Sequence, residues 1–212
     1  MSEYQAMFAL TPQDMQGRLL DCAGGPSSFN AELTRRGHRV VSCDPLYRFA
    51  AEEIEQRIEE TYPLILEGAQ AASDRYVWTE IASPAELGRL RMRAMRQFLA
   101  DYPVGKAQGR YVIGELPALP FKDESFDLAL CSHFLFTYAD QFTADFHTMA
   151  IKEMCRVAGE AHVFPLLTMA GEPSPHVVTV MAALRQSGYS VEIRQVEYEF
   201  QRGGNKMLRV CR

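Results

Sequence analysis

The stretch that most constrains the fold runs from Leu19 to Asp44. It holds an apolar run, Leu19-Leu20, then the small-residue turn Asp21-Cys22-Ala23-Gly24-Gly25-Pro26-Ser27-Ser28, an amphipathic segment marked by Phe29 and Leu33, Gly37, and a second apolar run, Val40-Val41-Ser42-Cys43, that ends on Asp44 and Pro45. The pattern reads as a buried strand, a tight turn, a helix and a second strand ending on an acid. Gly24 and Gly25 carry no Cβ, so the backbone can turn sharply and approach a ligand closely. Ser27 and Ser28 are placed to cap the helix and leave its free N–H groups facing the turn, and Gly37 is placed to close it. Asp44 keeps roughly the 20-residue spacing at which a carboxylate accepts hydrogen bonds from a ribose diol. A nucleoside site is the first implication. A tight structural connection is the alternative, because the full G-x-G-x-x-G spacing is absent.

A chain of 212 residues, 47% apolar and 23% charged, is long enough for one α/β domain spanning the whole sequence. A net charge of −5 argues against an extended nucleic-acid surface, which needs clustered Lys and Arg. No run of about 18 apolar residues occurs, and Met1-Ser2-Glu3-Tyr4-Gln5 resembles no leader, so a soluble, cytoplasmic protein without a membrane partner is expected. The cysteines Cys22, Cys43, Cys131, Cys155 and Cys211 form no C-x-x-C pair and read as small buried hydrophobes. Neither H-E-x-x-H nor a compact His/Asp/Glu cluster appears, so no metal is expected.

Ahead of the first strand, Tyr4, Met7, Phe8 and Leu10 precede Thr11-Pro12, and residues 4–16 read as a short helix covering the sheet and ending near Gly17. After Asp44 no strand returns until Arg110-Tyr111-Val112-Ile113. Helical patterns run instead from Ala50 to about Ala72 and from Pro84 to about Asp101, with the lone Trp78 between them. An insert over residues 50–105 is longer than an ordinary crossover. Placed just past a strand's carboxyl end, it reads as a helical lid over the ligand crevice. Its apolar surface also offers a face for self-association. Arg89, Arg93 and Arg96 share a solvated face, whereas Arg91 falls among Leu87, Ala94, Met95 and Phe98. Arg91 either snorkels outward or points into the cleft to meet an anionic substrate.

Two buried strands then flank a proline-punctuated loop. The run Gly114-Glu115, Leu119-Pro120-Phe121 and Asp123-Glu124-Ser125-Phe126-Asp127-Leu128 resembles the middle motifs of the class I S-adenosylmethionine-dependent methyltransferases. Glu153-Met154-Cys155-Arg156-Val157, Gly159 and Ala161 to Leu166 resemble that family's helix, turn and fifth strand. The resemblance covers roughly residues 17–49 and 108–212 and leaves the insert unmatched. It implies a Rossmann-like, mostly parallel sheet of seven strands with a C-terminal antiparallel hairpin, here Val191–Phe200 and Met207–Val210 about Arg202-Gly203-Gly204-Asn205.

The resemblance also implies S-adenosyl-L-methionine as cofactor. Asp21, Cys22, Ala23, Gly24 and Gly25 stand at the acid-and-glycine motif, with Ala23 and Ser27 replacing glycines. Asp44 and Pro45 stand at the ribose, Glu115 at the adenine amino group with the Leu116 backbone beside it, and Ser132 and His133 near the transferred methyl. A sulfonium is already an activated donor, so the protein has to align a nucleophile and manage its proton. His133 is the candidate base or orienting residue, with Tyr138 and Asp140 as partners; alternatively it only bonds backbone at the strand end. The leading expectation is a methyltransferase acting on a small-molecule acceptor. A protein that binds S-adenosyl ligands without transfer competes with it, since no Asn-Pro-Pro-Tyr signature is present. A nicotinamide-dependent dehydrogenase is a third reading, opposed by the Leu119–Asp127 run and the terminal hairpin.

Overall fold

Strand β1 (Arg18–Cys22) is buried from Leu19 to Cys22, as a strand covered on both faces must be, and the sheet grows outward from it. The structure, a computed structural model, describes residues 2–212. Strand β2 (Arg39–Cys43) lies parallel on one side of β1, with Asp21 opposite Ser42. The short β3 (Tyr111–Val112) extends that side. On the other side lie β4 (Phe126–Ser132) and β5 (Ala158–Phe164), both parallel. Then comes β7 (Lys206–Cys211), antiparallel to β5 and to the edge strand β6 (Ser190–Gln195). The seven-stranded order is β3-β2-β1-β4-β5-β7-β6. It reverses between β1 and β4, which opens a crevice at their carboxyl ends.

Helices cover both faces: α1 (Ser2–Phe8), α2 (Phe29–Arg35), α5 (Ala144–Val157) and α6 (Val177–Gln186). Several boundaries differ from expectation. Ala9, at φ 47°, ends α1 early, and a separate 3-10 turn follows at Asp14–Gln16. Thr11 starts that turn, accepting from Asp14 N at 3.2 Å while donating to Asp14 Oδ2 at 2.7 Å. At α2 only Ser27 turns its hydroxyl to a helix amide, Phe29 N at 3.2 Å; Ser28 Oγ goes to Glu32 instead. β3 stays short because its partner β2 ends at Cys43, where Pro45 opens a 3-10 turn instead of continuing the ladder. β6 ends at Gln195, not Phe200, and residues 196–205 form a long connection rather than a tight turn.

That connection meets the helical insert, which consists of α3 (Ala51–Ala71) and α4 (Pro84–Ala107). Ser83 Oγ accepts from Glu86 N and Glu86 Oε2 from Ala82 N, fixing the start of α4 reciprocally. The insert is held at two ends. At its base Tyr47, Ile54, Ile58, Phe98, Tyr102 and Tyr111 form one buried cluster, and Tyr102 Oη lies 2.8 Å from Tyr47 O and 3.0 Å from Phe49 O. At its tip Tyr76 stacks on Phe200 at 4.8 Å, Trp78 meets the same ring edge-on, and Val77 N donates to Phe200 O. Among the described residues no helix is long and apolar enough to cross a membrane.

Gly105 lets α4 press against β3, because a Cβ there would drive into the Tyr111 ring. Overpacking at such a contact costs about 1–3 kcal/mol, against roughly 1 kcal/mol that alanine gains over glycine within a helix. Gly105→Ala is expected to lower the urea midpoint of unfolding with little change in slope, and an unchanged or raised midpoint would show that the base is loosely packed.

Candidate active site

The glycine turn is stitched to the end of β2 by three hydrogen bonds. Ala23 N donates to Cys43 O at 2.9 Å, Gly25 N to Asp44 Oδ2 at 2.9 Å, and Tyr47 Oη to Gly25 O at 2.9 Å. Asp44 spends its other oxygen on Leu46 N at 2.7 Å, opening the 3-10 turn that begins at Pro45. Burial raises the Asp44 carboxyl above its ordinary range, and the two backbone N–H donors hold it down in part. Ala23 adopts φ 53°, a left-handed conformation that disfavours any Cβ. Gly24 makes room for two side chains: a Cβ would collide with Asp21 Oδ2 and lie 2.9 Å from Tyr47 Oη.

Asp21 lies beneath that turn and is 1% exposed. Tyr4 Oη, on α1, donates to its Oδ1 at 3.3 Å, and Ser42 Oγ donates to its Oδ2 at 2.9 Å. The chain of polar contacts continues through the sheet: Asn30 Nδ2 to Ser42 Oγ, Arg110 Nη1 to Asn30 Oδ1, and a two-armed pair between Arg110 and Asp101 of α4. Desolvation raises the Asp21 carboxyl to about 7, with Ser42 and Tyr4 opposing the shift and Asp44 reinforcing it. Tyr4 is stacked on Phe29 at 4.0 Å, and its phenol lies among Asp21, Ser27 and Ser132.

At the end of β4, Ser132 Oγ lies 2.8 Å from His133 Nδ1, and His133 N donates to Phe164 O. His133 sits at φ 53° and leaves its ring open on one side. Desolvation, then the nearby Arg91 guanidinium, lower the imidazole and favour its neutral form, with solvent at the open edge tempering the effect. Arg91 is 3.8 Å from Glu3 Oε2, and Glu3 Oε1 accepts from Tyr198 Oη at 3.1 Å. Helix α4 thus reaches across to α1 and the β4 end. Tyr138 and Asp140 lie on the following loop, and the His133 ring bonds Ser132 rather than either of them.

The remaining sequence candidates fall into two places. Glu115 is exposed on the rim of a cavity of about 350 Å³ that Pro45, Ile113 and Leu119 also line, just beyond β2 and β3. Cys22 and Leu116 turn their side chains into the core, so only their backbones face outward. A wider cleft of about 1150 Å³ opens beneath α4, between Glu3 of α1, Arg35 of α2, Arg93 and the Tyr198–Phe200 segment. Arg93 therefore borders the cleft instead of lying only on a solvated face. Sequence reasoning missed Tyr4, Ser42, Asn30 and Tyr47. Tyr4 reads locally as one more apolar-face residue, and only the long-range folding of α1 onto the sheet ends gives its hydroxyl a partner. Among the described residues no group of three or more His, Cys, Asp and Glu is placed to hold a metal ion.

The sequence profile of a family described as a methyltransferase domain matches residues 82–160. An uncharacterized protein of Methanocaldococcus jannaschii is 31% identical over 212 residues, covering 100% of this chain and 93% of its own. In fold, the chain is similar to the mitomycin 7-O-methyltransferase MmcR, with TM-score 0.52, 13% identity and coverage of 100% of this chain and 53% of that one. It is also similar to a Haloferax volcanii complex between the Trm112 methyltransferase activator and a methyltransferase, with TM-score 0.50, 12% identity and coverage of 99% and 87%.

Asp21 has a measurable consequence for the ligand-free protein. Its folded-state pKa of about 7 lies above the unfolded value, so the folded state holds this proton more tightly. The stabilisation is complete below the unfolded pKa, is lost as pH climbs from about 4 to about 7, and is constant above. Wild type is expected to lose stability across that window relative to Asp21→Asn, measured by urea unfolding; parallel curves would mean that Asp21 titrates normally.

Proposed function

We propose that this chain, whose residues 82–160 match the methyltransferase-domain profile, is a class I S-adenosylmethionine-dependent methyltransferase that transfers the cofactor's methyl group to a small-molecule acceptor beneath the helical insert. The observation that carries this reading is the Asp44 carboxylate, fixed at the end of β2 by Leu46 N and Gly25 N. Each of its oxygens keeps a lone pair for a ribose hydroxyl. The cavity of about 350 Å³ beside Pro45 and Ile113, with Glu115 on its rim, is of a size and apolarity that suit an adenine ring. The acids Asp21 and Asp44 suit a cationic ligand.

When bound, the cofactor supplies an electrophilic methyl group on a sulfonium. The protein's tasks are then alignment and proton management. His133 suits the second: with Nδ1–H donating to Ser132 Oγ, its Nε2 keeps a lone pair for a proton leaving the acceptor. Arg91, half-exposed and only loosely paired with Glu3, suits an anionic group on the acceptor. The insert supplies the roof, with α4 carrying Arg91.

Calorimetric titration with S-adenosylmethionine and S-adenosylhomocysteine tests the site. Asp44→Ala is expected to weaken both by about 1.5–3 kcal/mol, the range for hydrogen bonds to a charged group; unchanged affinity would mean the nucleoside lies elsewhere. With small-molecule acceptors screened for S-adenosylhomocysteine release, His133→Ala is expected to lower turnover while leaving cofactor affinity near wild type. Wild-type turnover in that variant would remove the proton-accepting role.

A further inference from the structure

Asn30 and Ser42 are buried polar residues that the reaction outlined above does not use, and together they join the end of β1 to the helical insert. Chemistry fixes the direction of every hydrogen bond between them. The Arg110 carbonyl can only accept, so the Asn30 atom 3.0 Å from it is the amide Nδ2; a guanidinium can only donate, so the Asn30 atom 2.6 Å from Arg110 Nη1 is Oδ1. Nδ2 donates in addition to Ser42 Oγ at 3.2 Å. A hydroxyl has one proton, and that of Ser42 goes to Asp21 Oδ2 at 2.9 Å. The donors therefore all point one way, from the guanidinium of Arg110 to the carboxyl of Asp21. At its far end Arg110 clamps Asp101 of α4, with Nη1 to Oδ2 at 2.7 Å and Nη2 to Oδ1 at 2.9 Å, and Tyr111 Oη donates to the same Oδ2 at 2.9 Å.

A path of one polarity has two states. While Asp21 Oδ2 accepts, each polar atom along the path is satisfied. A proton on Oδ2 would face the Ser42 oxygen, to which Asn30 already donates, and the Ser42 proton would lose its acceptor in a buried position, where an unmade hydrogen bond is costly. A ligand whose positive end lies near Asp21 favours the accepting carboxylate and so holds the path in its first state. Hydrogen bonds in such a chain strengthen one another, each by about 10–30%, and the last of them fixes the guanidinium that clamps α4. The stretch of α4 near this clamp, residues 98–107, lines neither the cavity beside Pro45 nor the wider cleft. Direct contact with a ligand in either cavity is therefore not what would order it.

We propose that Ser42, Asn30 and Arg110 are positioning residues that couple occupancy of the cofactor site to helix α4, so that the bound cofactor orders the roof under which the acceptor binds. This inference rests on the cofactor reading above. A second link between the glycine turn and the insert runs through Tyr47, whose hydroxyl holds Gly25 O and whose ring meets Tyr102. That link ties the ribose side of the site to the aromatic base and bypasses Asp21, so the two routes can be cut separately.

Amide hydrogen exchange on the full chain, with and without saturating S-adenosylhomocysteine, tests the coupling. In wild type the ligand is expected to slow exchange within residues 98–107 about fivefold or more, the low end of coupling between separate sites, and to protect the glycine turn as well. Ser42→Ala cuts the path without changing α4 or the turn. It is expected to keep the ligand's protection of the turn while the effect on residues 98–107 falls below about twofold. Tyr47→Phe, which cuts only the other link, is expected to keep both. The quantity read is the ratio of rates with and without ligand in the same variant, so a variant merely loosened in structure exchanges faster in both conditions and leaves that ratio intact. Equal protection of residues 98–107 in wild type and Ser42→Ala, or none in a wild type that binds the ligand, overturns the proposal while leaving the cofactor site standing. Loss of the α4 effect in Tyr47→Phe with its survival in Ser42→Ala assigns the coupling to Tyr47 and overturns it too. Failure of wild type to bind S-adenosylhomocysteine in calorimetry would instead remove the cofactor reading itself.

Discussion

The Asp44 carboxylate ties together the two turns on which the site depends. One oxygen holds Leu46 N in its own turn, and the other crosses to Gly25 N in the turn after β1. A single side chain thus sets the separation of two loops that the sheet brings only to within a strand spacing, about 4.8 Å. Tyr47 adds a second tie, and it also belongs to the aromatic cluster at the base of the insert, meeting Tyr102 at 5.8 Å and Tyr111 at 5.2 Å. The glycine turn and the helical insert are consequently registered to one another through one tyrosine. Preorganisation of this kind lets a ligand find its hydrogen-bond partners already in place.

The insert is anchored unequally. Its base is a buried aromatic core, whereas the tip rests on Tyr76, Trp78 and Phe200, all only half-buried, and a few backbone hydrogen bonds to the β6–β7 connection. Fewer buried apolar contacts place the tip at the low end of local stability. Opening is therefore easiest where α4 begins, over the wider cleft, and hardest near Gly105 and Tyr111. Arg91 lies on the part of α4 between these ends and is 3.8 Å from Glu3 of α1. The chain's lone tryptophan, Trp78, is in the clasp itself.

Much of this was legible in the sequence because local pattern and global fold agree. Apolar runs bounded by glycines and an acid placed β1, α2 and β2, and the Leu119–Asp127 run placed β4. The matched profile begins only at residue 82, so it covers the middle motifs and not the glycine turn after β1. What the sequence left open depended on distant partners. The periodicity around Tyr4 and Met7 gives an apolar face, yet the two residues end up at the carboxyl ends of β1 and β4, where Tyr4 meets Asp21 and Met7 Sδ lies 3.7 Å from Ser132 Oγ. The β6–β7 hairpin was over-extended because Val196 and Phe200 continue an apolar alternation, although their burial comes from α1 and the insert tip rather than from a ladder. Tyr138 and Asp140 were paired with His133 by proximity in sequence, but the left-handed turn at His133 directs its ring to Ser132 instead.

Elsewhere in the molecule four acids that fasten the fold are matched to arginines. Asp101 is held by Arg110, Asp127 by Arg18, Glu153 by Arg156 and Glu160 by Arg209. Each of these pairs joins separate elements or closes a helix turn, and each leaves its acid ionised. Asp21 departs from that rule at the most buried position of all, and Asp44 beside it relies on backbone N–H groups instead of a cation. Nothing about folding requires the exception: an apolar residue under the glycine turn would avoid the cost of a buried carboxyl, as replacements for buried ionic groups often do. Two acids without an arginine partner thus lie side by side at the switch point of the sheet, a place where a cationic ligand would supply the missing charge.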